Sequence, residues 1–187
     1  TADNYDVLYH SKGLLAAFNE AGFHTAFISN EPRNKSFNDH LAEQAHEVLF
    51  LRDRMSGTPM DSLLLPEIQK TLERNRGNLL VVVHTYGSHS TYSDRYERNQ
   101  AHFTPDVALK ATKENRDILI NAYDNTIRYT DRMLHSIIGL LQAQDRPAAM
   151  LFASDHGEDI YDDSRNLYLH ASPWPSYYQL HVPFLVW

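Results

Sequence analysis

The 187-residue sequence contains no cysteine, which excludes disulfide bonds and leaves the redox state of its compartment undefined. It also has no apolar run approaching the roughly 20 residues that span a bilayer, and no visible signal peptide. Internal repeats and low-complexity linkers are missing as well. What remains is a chain with the length of one α/β domain, large enough to bury a core of its own.

An excess of basic charge is absent too. The chain has 17 Lys and Arg against 24 Asp and Glu, for a formal net charge of -7, and the two signs are interspersed. Because a basic face is needed to hold the phosphates of nucleic acids, this composition argues against nucleic acid as the partner.

Both ends indicate that the sequence belongs to a longer protein. The chain starts at Thr1 rather than at a methionine, and it stops on the apolar run 182–187. We therefore expect further segments outside it. The lack of a membrane segment within these residues says nothing about those segments.

The hydrophobic pattern predicts an α/β fold of three α/β/α layers around a mostly parallel sheet, incomplete at both ends. Continuous apolar runs predict strands that are buried on both faces. Apolar residues three and four positions apart, closed by a glycine, predict helices. The predicted elements are a helix over 13–21, strands over 24–29 and 48–51, a helix over 61–76, and strands over 79–83 and 148–153.

A long amphipathic helix is predicted ahead of the last strand. Its apolar stripe consists of Ile120, Tyr123, Ile127, Thr130, Leu134, Ile137 and Leu141. We expect this stripe to face the sheet, and the strand–helix–strand order to give right-handed parallel crossovers. The preceding segment 85–110 has no clear period and is long for a connection, which favours a functional loop.

An adjacent carboxylate and imidazole, Asp155 and His156, follow the predicted strand 148–153 directly. Zinc takes oxygen and nitrogen ligands in tetrahedral geometry, so this pair is suited to form half of a zinc site. In parallel α/β sheets, ligands bind beyond the carboxyl ends of the strands. The alternative is that Asp155 caps a following helix and His156 is merely exposed. Glu158 either orients a metal ligand or favours the N-terminus of such a helix.

Two further histidines, His89 and His170, lie in loops next to strand-like runs. A neutral imidazole binds zinc or protonates a leaving oxygen, and an imidazolium stabilises phosphate charge. Each of these histidines could instead satisfy a loop carbonyl. We expect both to converge with Asp155 and His156 on one edge of the sheet.

The order of several motifs resembles that of the lipid A phosphoethanolamine transferases, in the sulfatase-like branch of the alkaline phosphatase superfamily. Ser154-Asp-His-Gly-Glu158 is followed by Tyr168-Leu-His170 and then by His181-Val-Pro-Phe184. Gly87-Ser-His89 is similar to the family's Gly-Ser-His-Gly-Pro loop, although Ser90 and Thr91 replace its last two residues. Further similar blocks are Gly22-Phe23, Phe27-Ile-Ser-Asn30, Tyr123-Asp-Asn125 and Tyr129-Thr-Asp131, so the resemblance spans nearly the whole chain.

The resemblance implies that residues 1–187 are part of a single sulfatase-like catalytic domain. It implies transfer of phosphoethanolamine from phosphatidylethanolamine to lipid A or a related glycolipid by a zinc-dependent covalent mechanism. By position, Asp155 and His156 correspond to metal ligands, and His89 and His170 to residues that touch the phosphate or a second metal. The implied location is the periplasmic face of the bacterial inner membrane, with the membrane anchor upstream of this chain.

The family's nucleophilic threonine and acidic metal ligand have no counterpart here, because Thr1 lacks the pattern that surrounds the threonine in the family. We therefore expect this chain alone to be catalytically silent and to bind zinc weakly. Two other functions stay open. One is a different metallohydrolase, such as a sulfatase or a relative of lipoteichoic acid synthase, and the other is a non-catalytic binding domain.

Overall fold

The computed structural model describes residues 10–33, 37–55, 57 and 60–187. Thr1 therefore lies outside the described residues. The chain divides into two compact units, which meet in sequence between Tyr86 and Gly87. Each unit is described by itself below.

A three-stranded parallel sheet is the centre of the first unit. Its strands lie in the order Glu47–Phe50, His24–Ser29 and Leu79–His84, and Phe27 at the middle of the central strand lies opposite Val48 on one side and Val82 on the other. The elements are α1 (Leu14–Glu20), β1 (His24–Ser29), α2 (Phe37–Ala42), β2 (Glu47–Phe50), α3 (Leu64–Arg74) and β3 (Leu79–His84). The predicted helices and strands of this half are confirmed within a few residues at each end.

Both faces of β1 are covered, as its unbroken apolar run predicts. Successive side chains of a strand point to opposite faces, and Ala26, Phe27 and Ile28 are all buried. Phe27 belongs to a cluster with Leu15 of α1 and with Phe50. Both α1 and α3 contact β1. An α/β fold with a parallel sheet is therefore confirmed.

The second unit is built on one long helix and two short antiparallel strand pairs. Leu151–Ala153 pairs with Phe184–Val186, and Asp159–Ile160 pairs with Tyr168–Leu169. The elements are α4 (Arg116–Gln142), β4 (Leu151–Ala153), β5 (Asp159–Ile160), β6 (Tyr168–Leu169), α5 (Tyr177–Leu180) and β7 (Phe184–Val186). None of the helices in the described ranges combines the length and apolarity that crossing a bilayer requires.

Strand β4 departs from its prediction in length and in direction of pairing. It begins at Leu151 rather than at Ala148, and its partner β7 runs antiparallel to it. Met150 and Trp187 extend the ladder by exchanging two backbone hydrogen bonds of 2.9 Å. The expected parallel crossover into β4 is wrong at this strand, because the apolar run 182–187 turns back and supplies the hydrogen-bonding partner.

The buried face of α4 also differs from the predicted stripe. Its buried residues are Leu119, Ala122, Asn125, Thr126, Tyr129, Met133 and Ile137, whereas Ile127 is 48% exposed. The reason is that α4 packs against the turn 92–94 and also supplies hydrogen-bonding partners to polar groups elsewhere in the irregular segment 87–110. Asn125 accepts hydrogen bonds from the backbone N–H groups of His102 and Phe103, at 2.8 and 3.0 Å, and Thr126 donates one to Ser88. Polar residues are therefore buried where an apolar stripe was expected.

The irregular segment 87–110 is ordered by a buried polar network. Asp106 is 5% exposed and accepts hydrogen bonds from the Tyr96 hydroxyl and from both terminal nitrogens of Arg98, at 2.8 and 3.0 Å. Burial raises the pKa of Asp106, but the hydrogen bonds and charge of Arg98 and the bond from Tyr96 outweigh burial, so that the pKa is lowered. Segment 87–110 is thus an ordered loop rather than a flexible linker.

Candidate metal centre

Three side chains of the second unit form a group that could hold a metal ion. One ligand atom from each of His156, Glu158 and His170 lies within 4.8 Å of the others. These three residues are called the metal group below. Glu158 is buried and the two histidines are partly exposed. Two imidazole nitrogens with one carboxylate oxygen are a donor set that zinc favours. The residues therefore fit a zinc ion by number, chemistry and proximity.

The loop 154–158 presents His156 with one ring nitrogen directed away from its own backbone. Ser154 Oγ donates a hydrogen bond of 2.7 Å to the His156 carbonyl. His156 Nδ1 lies 3.0 Å from the Gly157 carbonyl, which can only accept, so this contact assigns the proton to Nδ1. Nε2 is then the unprotonated nitrogen, which is the one available to a metal ion. Fixing the tautomer in this way is a common support for a histidine ligand.

Gly157 brings this loop against the segment around α5. Its N–H donates a hydrogen bond of 2.8 Å to the Gln179 carbonyl. A Cβ atom at Gly157 would lie 2.1 Å from the Tyr178 carbonyl oxygen. The Gln179 side chain also donates to Asp159, and both of these side chains are buried. Only glycine permits so close an approach of two backbones.

Glu158 joins the metal group to the hydrophobic core of the unit. Its Oε1 lies 2.9 Å from His170 Nδ1, and its Oε2 accepts a hydrogen bond of 3.4 Å from the Tyr92 hydroxyl. The Glu158 side chain is only 4% exposed. Burial and the charge of Glu158 raise the pKa of Tyr92, which keeps the phenol protonated as a donor. Glu158 thus either binds the metal itself or orients His170.

His89 lies beside the same group. The ring centroids of His89 and His170 are 5.9 Å apart, and those of His156 and His170 are 4.0 Å apart. His89 Nδ1 lies 2.7 Å from the Ser90 carbonyl. Arg95 steadies this turn by donating to the carbonyls of His89 and Ser90, at 3.0 and 3.3 Å. The structure therefore brings His89, His156 and His170 together.

Asp155 lies at the margin of the group. Its side chain is 87% exposed, and its Oδ2 is 3.8 Å from His156 Nε2. Two ligands of one tetrahedral zinc are separated by about 3.3 Å, so this spacing is close to that of a shared ion. In the described segment 154–176 no helix begins, because the chain enters β5 directly after Glu158, so the alternative that Asp155 or Glu158 serves a helix N-terminus is wrong.

Glu158 belongs to the metal group, although the sequence analysis assigned it only a supporting role. The available signal was its spacing, since residues two apart in extended chain point to the same side and His156 lies two positions earlier. His84, the other strand-end histidine, is held within the first unit. Its Nδ1 lies 3.0 Å from Ser29 Oγ, and its ring packs at 5.8 Å from that of Phe27. These contacts indicate that His84 packs within the first unit.

The general class is an α/β domain with a parallel sheet and a cluster of histidine and carboxylate side chains that could hold a metal ion. The family model described as sulfatase matches residues 5–187 of the chain. The chain belongs to the sulfatase family.

Two curated relatives are similar along almost the whole chain. The "Kdo(2)-lipid A phosphoethanolamine 7''-transferase" of Escherichia coli K12 is 30% identical over 193 residues, covering 99% of this chain and 33% of the relative. The "Phosphoethanolamine transferase EptA" of Salmonella typhimurium LT2 is 31% identical over 190 residues, covering 97% and 34%. The chain thus spans about a third of the length of these relatives.

Two solved structures are similar in fold. The lipooligosaccharide phosphoethanolamine transferase EptA of Neisseria meningitidis, an integral membrane protein, superposes with a TM-score of 0.85 at 27% identity, covering 96% of this chain and 34% of that protein. The C-terminal periplasmic domain of EptC from Escherichia coli, crystallised in complex with zinc, superposes with a TM-score of 0.83 at 24% identity, covering 94% and 51%.

Proposed function

We propose that this chain is the metal-binding part of a phosphoethanolamine transferase. The enzyme would move phosphoethanolamine from phosphatidylethanolamine to lipid A or a related cell-envelope glycolipid. The observation that carries the proposal is the group of His156, Glu158 and His170, in a chain whose curated relatives include transferases of that name. Fold likeness alone would not distinguish this function from others of the same superfamily.

Zinc is the proposed metal. Asp155 and His156 are its proposed ligands from the loop after β4, and Glu158 and His170 complete the available donor set. When bound, zinc supplies Lewis-acid stabilisation of phosphoryl oxygens and lowers the pKa of a coordinated hydroxyl. The zinc complex of the EptC domain makes zinc the first metal to test.

His170 is free to act on the phosphate when Asp155, His156 and Glu158 hold the ion, and His89 lies outside the donor set. His170 holds Nδ1 against Glu158, which leaves Nε2 to accept or return a proton at a leaving oxygen. His89, exposed at the edge of the group, is placed to meet phosphate charge. Both roles depend on the orientation that Glu158 and Arg95 impose.

The remaining parts of the enzyme are proposed to lie outside these residues. Residues 1–187 would form part of a single sulfatase-like catalytic domain, with the nucleophilic threonine, an acidic ligand and a membrane anchor upstream. Relatives about three times as long leave room for such segments. The proposed location is the periplasmic face of the bacterial inner membrane.

Lipid analysis tests this function directly. The protein, extended to the length of its relatives, is incubated with phosphatidylethanolamine and lipid A, and mass spectrometry detects lipid A carrying an added phosphoethanolamine group. We expect the product with the unchanged protein and with the control His135→Ala, whose side chain is exposed on α4. We expect none with His156→Ala. Release of sulfate from an aryl sulfate, without modified lipid A, would instead identify a sulfatase.

A further inference from the structure

A cavity of about 280 Å³ lies beside the candidate metal centre, within the second unit. Glu158 lines this cavity and also bonds His170, so the cavity and the metal group share a side chain. Tyr177 and Tyr178 of α5 and Tyr123 of α4 contribute aromatic rings to its wall. The cavity therefore adjoins the metal group at Glu158, and tyrosines are among its lining residues.

The cavity is acidic as well as aromatic. Asp124 and Asp162 join Glu158 in its lining, and no lysine or arginine is among its described lining residues. Arg116 pairs with Asp162 at 3.0 Å and offsets its charge. The negative charge of the cavity therefore comes from Asp124 and Glu158. The pKa of Tyr123 is raised by burial and then by the charges of Glu158, Asp124 and Asp162, so all three carboxylates act on one ring.

Asp124 is the cavity carboxylate for which burial alone shifts the pKa. Burial raises its pKa, and no cation or hydrogen bond from the described part of the chain acts against that effect. A cation beside Asp124 would stabilise the carboxylate, and the faces of tyrosine rings attract cations as well. The cavity is therefore complementary to a small cation.

We propose that this cavity binds the ethanolammonium arm of phosphoethanolamine while the phosphate lies at the metal group. The inference rests on the proposed function and adds the part of the site that recognises the amine. A primary ammonium offers three donors, which the carboxylates of Asp124 and Glu158 can accept. The cavity volume of about 280 Å³ is ample for a two-carbon amine. The same group occurs in the lipid head group and in soluble phosphoethanolamine.

Calorimetry with two phosphate esters tests the cavity separately from the metal. O-Phosphoethanolamine and ethyl phosphate share the phosphate and the two-carbon chain, and only the first carries an ammonium. In the zinc-loaded protein we expect phosphoethanolamine to bind at least about tenfold more tightly, as a charged hydrogen bond provides. Asp124→Asn should remove most of this preference, whereas Asp131→Asn, exposed on the same helix, should keep it. Ethyl phosphate should bind all three proteins equally.

A second pair of variants tests the aromatic wall without touching a buried side chain. Tyr177 is 65% exposed, so its replacement leaves the core intact. Tyr177→Leu should weaken phosphoethanolamine binding several-fold, because it removes the ring face, and Tyr177→Phe should preserve binding. Equal binding by the leucine and phenylalanine variants would count against the cavity.

The outcomes separate this inference from the proposed function. If Asp124→Asn keeps the full preference for phosphoethanolamine, the ammonium binds elsewhere and the inference is overturned. If neither ester binds, the phosphate site fails, and both proposals fall together. The same comparison is repeated with two short-chain lipids, phosphatidylethanolamine, which carries the ammonium, and phosphatidylglycerol, which does not. A preference limited to the free ester supports the cavity and identifies soluble phosphoethanolamine as its ligand.

Discussion

The N–H of Gly157 donates a hydrogen bond of 2.8 Å to the carbonyl oxygen of Gln179, and this contact holds the loop 154–158 against α5. Gly157 stands between His156 and Glu158, two members of the metal group. The positions of these two side chains therefore depend on how closely the two backbones approach.

Replacing Gly157 by alanine should displace the loop. The added methyl group would lie 2.1 Å from the Tyr178 carbonyl oxygen, so one of the two backbones must move. We expect a loss of about 1–3 kcal/mol in the free energy of unfolding, which is typical of overpacking, and a weaker zinc affinity. Thermal denaturation and zinc titration measure the two effects.

Gly139→Ala is the matched control for this substitution. Gly139 lies in α4 and has no atom within 4 Å of an added Cβ. Since alanine is a better helix former than glycine, we expect a gain of about 0.5–1 kcal/mol in stability and unchanged zinc affinity. Equal behaviour of the two variants would show that the contact with Tyr178 does not position the loop.

Replacing Glu158 by glutamine should weaken zinc binding by about ten- to a hundredfold. Glutamine keeps the shape of the side chain but loses the charge that binds the ion or orients His170, which lies 2.9 Å away. Competition with a fluorescent zinc chelator measures the affinity. Glu114→Gln changes an exposed carboxylate of the same unit and should leave the affinity as it was. An undiminished affinity in Glu158→Gln would remove Glu158 from the metal group.

Acid should destabilise the second unit through Asp106. The pKa of Asp106 is lowered in the folded state, because the bonds from Arg98 and Tyr96 outweigh the opposing effect of burial. The stability it contributes is therefore present above the unfolded pKa of roughly 3.9 and is lost as the pH falls through the folded pKa. Asp106→Asn should lower the free energy of unfolding by about 1–3 kcal/mol at pH 7, and the difference should shrink below about pH 4.

Urea denaturation at a series of pH values checks this dependence. Asp131→Asn, at an exposed position of α4, serves as the control and should follow the unchanged protein at every pH. A stability difference for Asp106→Asn that stays constant down to pH 3 would mean that the charge of Asp106 does not contribute.

Local patterns predicted the first unit well, because its signals are strong and short in range. The continuous apolar run of β1 and the glycine that follows α1 mark these elements without reference to the rest of the chain. The antiparallel pairing of β4 with β7 depends on a contact between segments more than 30 residues apart. Periodicity carries no information on such a pairing.

The candidate site could be predicted only in part, because some of its contacts join residues that are far apart in the sequence. Motif order indicated that His89, His156 and His170 belong together, and the structure places their rings in one group. The place of Glu158 depends on the hydrogen bonds that Tyr92 and His170 make with it across the fold. Burying a carboxylate requires such partners, and sequence spacing alone does not reveal them.

The central claim is that His156 holds a zinc ion together with the carboxylates and histidine around it. Anomalous diffraction at the zinc edge, from crystals of the zinc-loaded protein, tests it most directly. The account predicts an anomalous peak within about 2.0–2.1 Å of His156 Nε2, in bonding contact with Asp155 or with Glu158 and His170. A zinc peak bound elsewhere in the chain, with His156 uncoordinated, would contradict it.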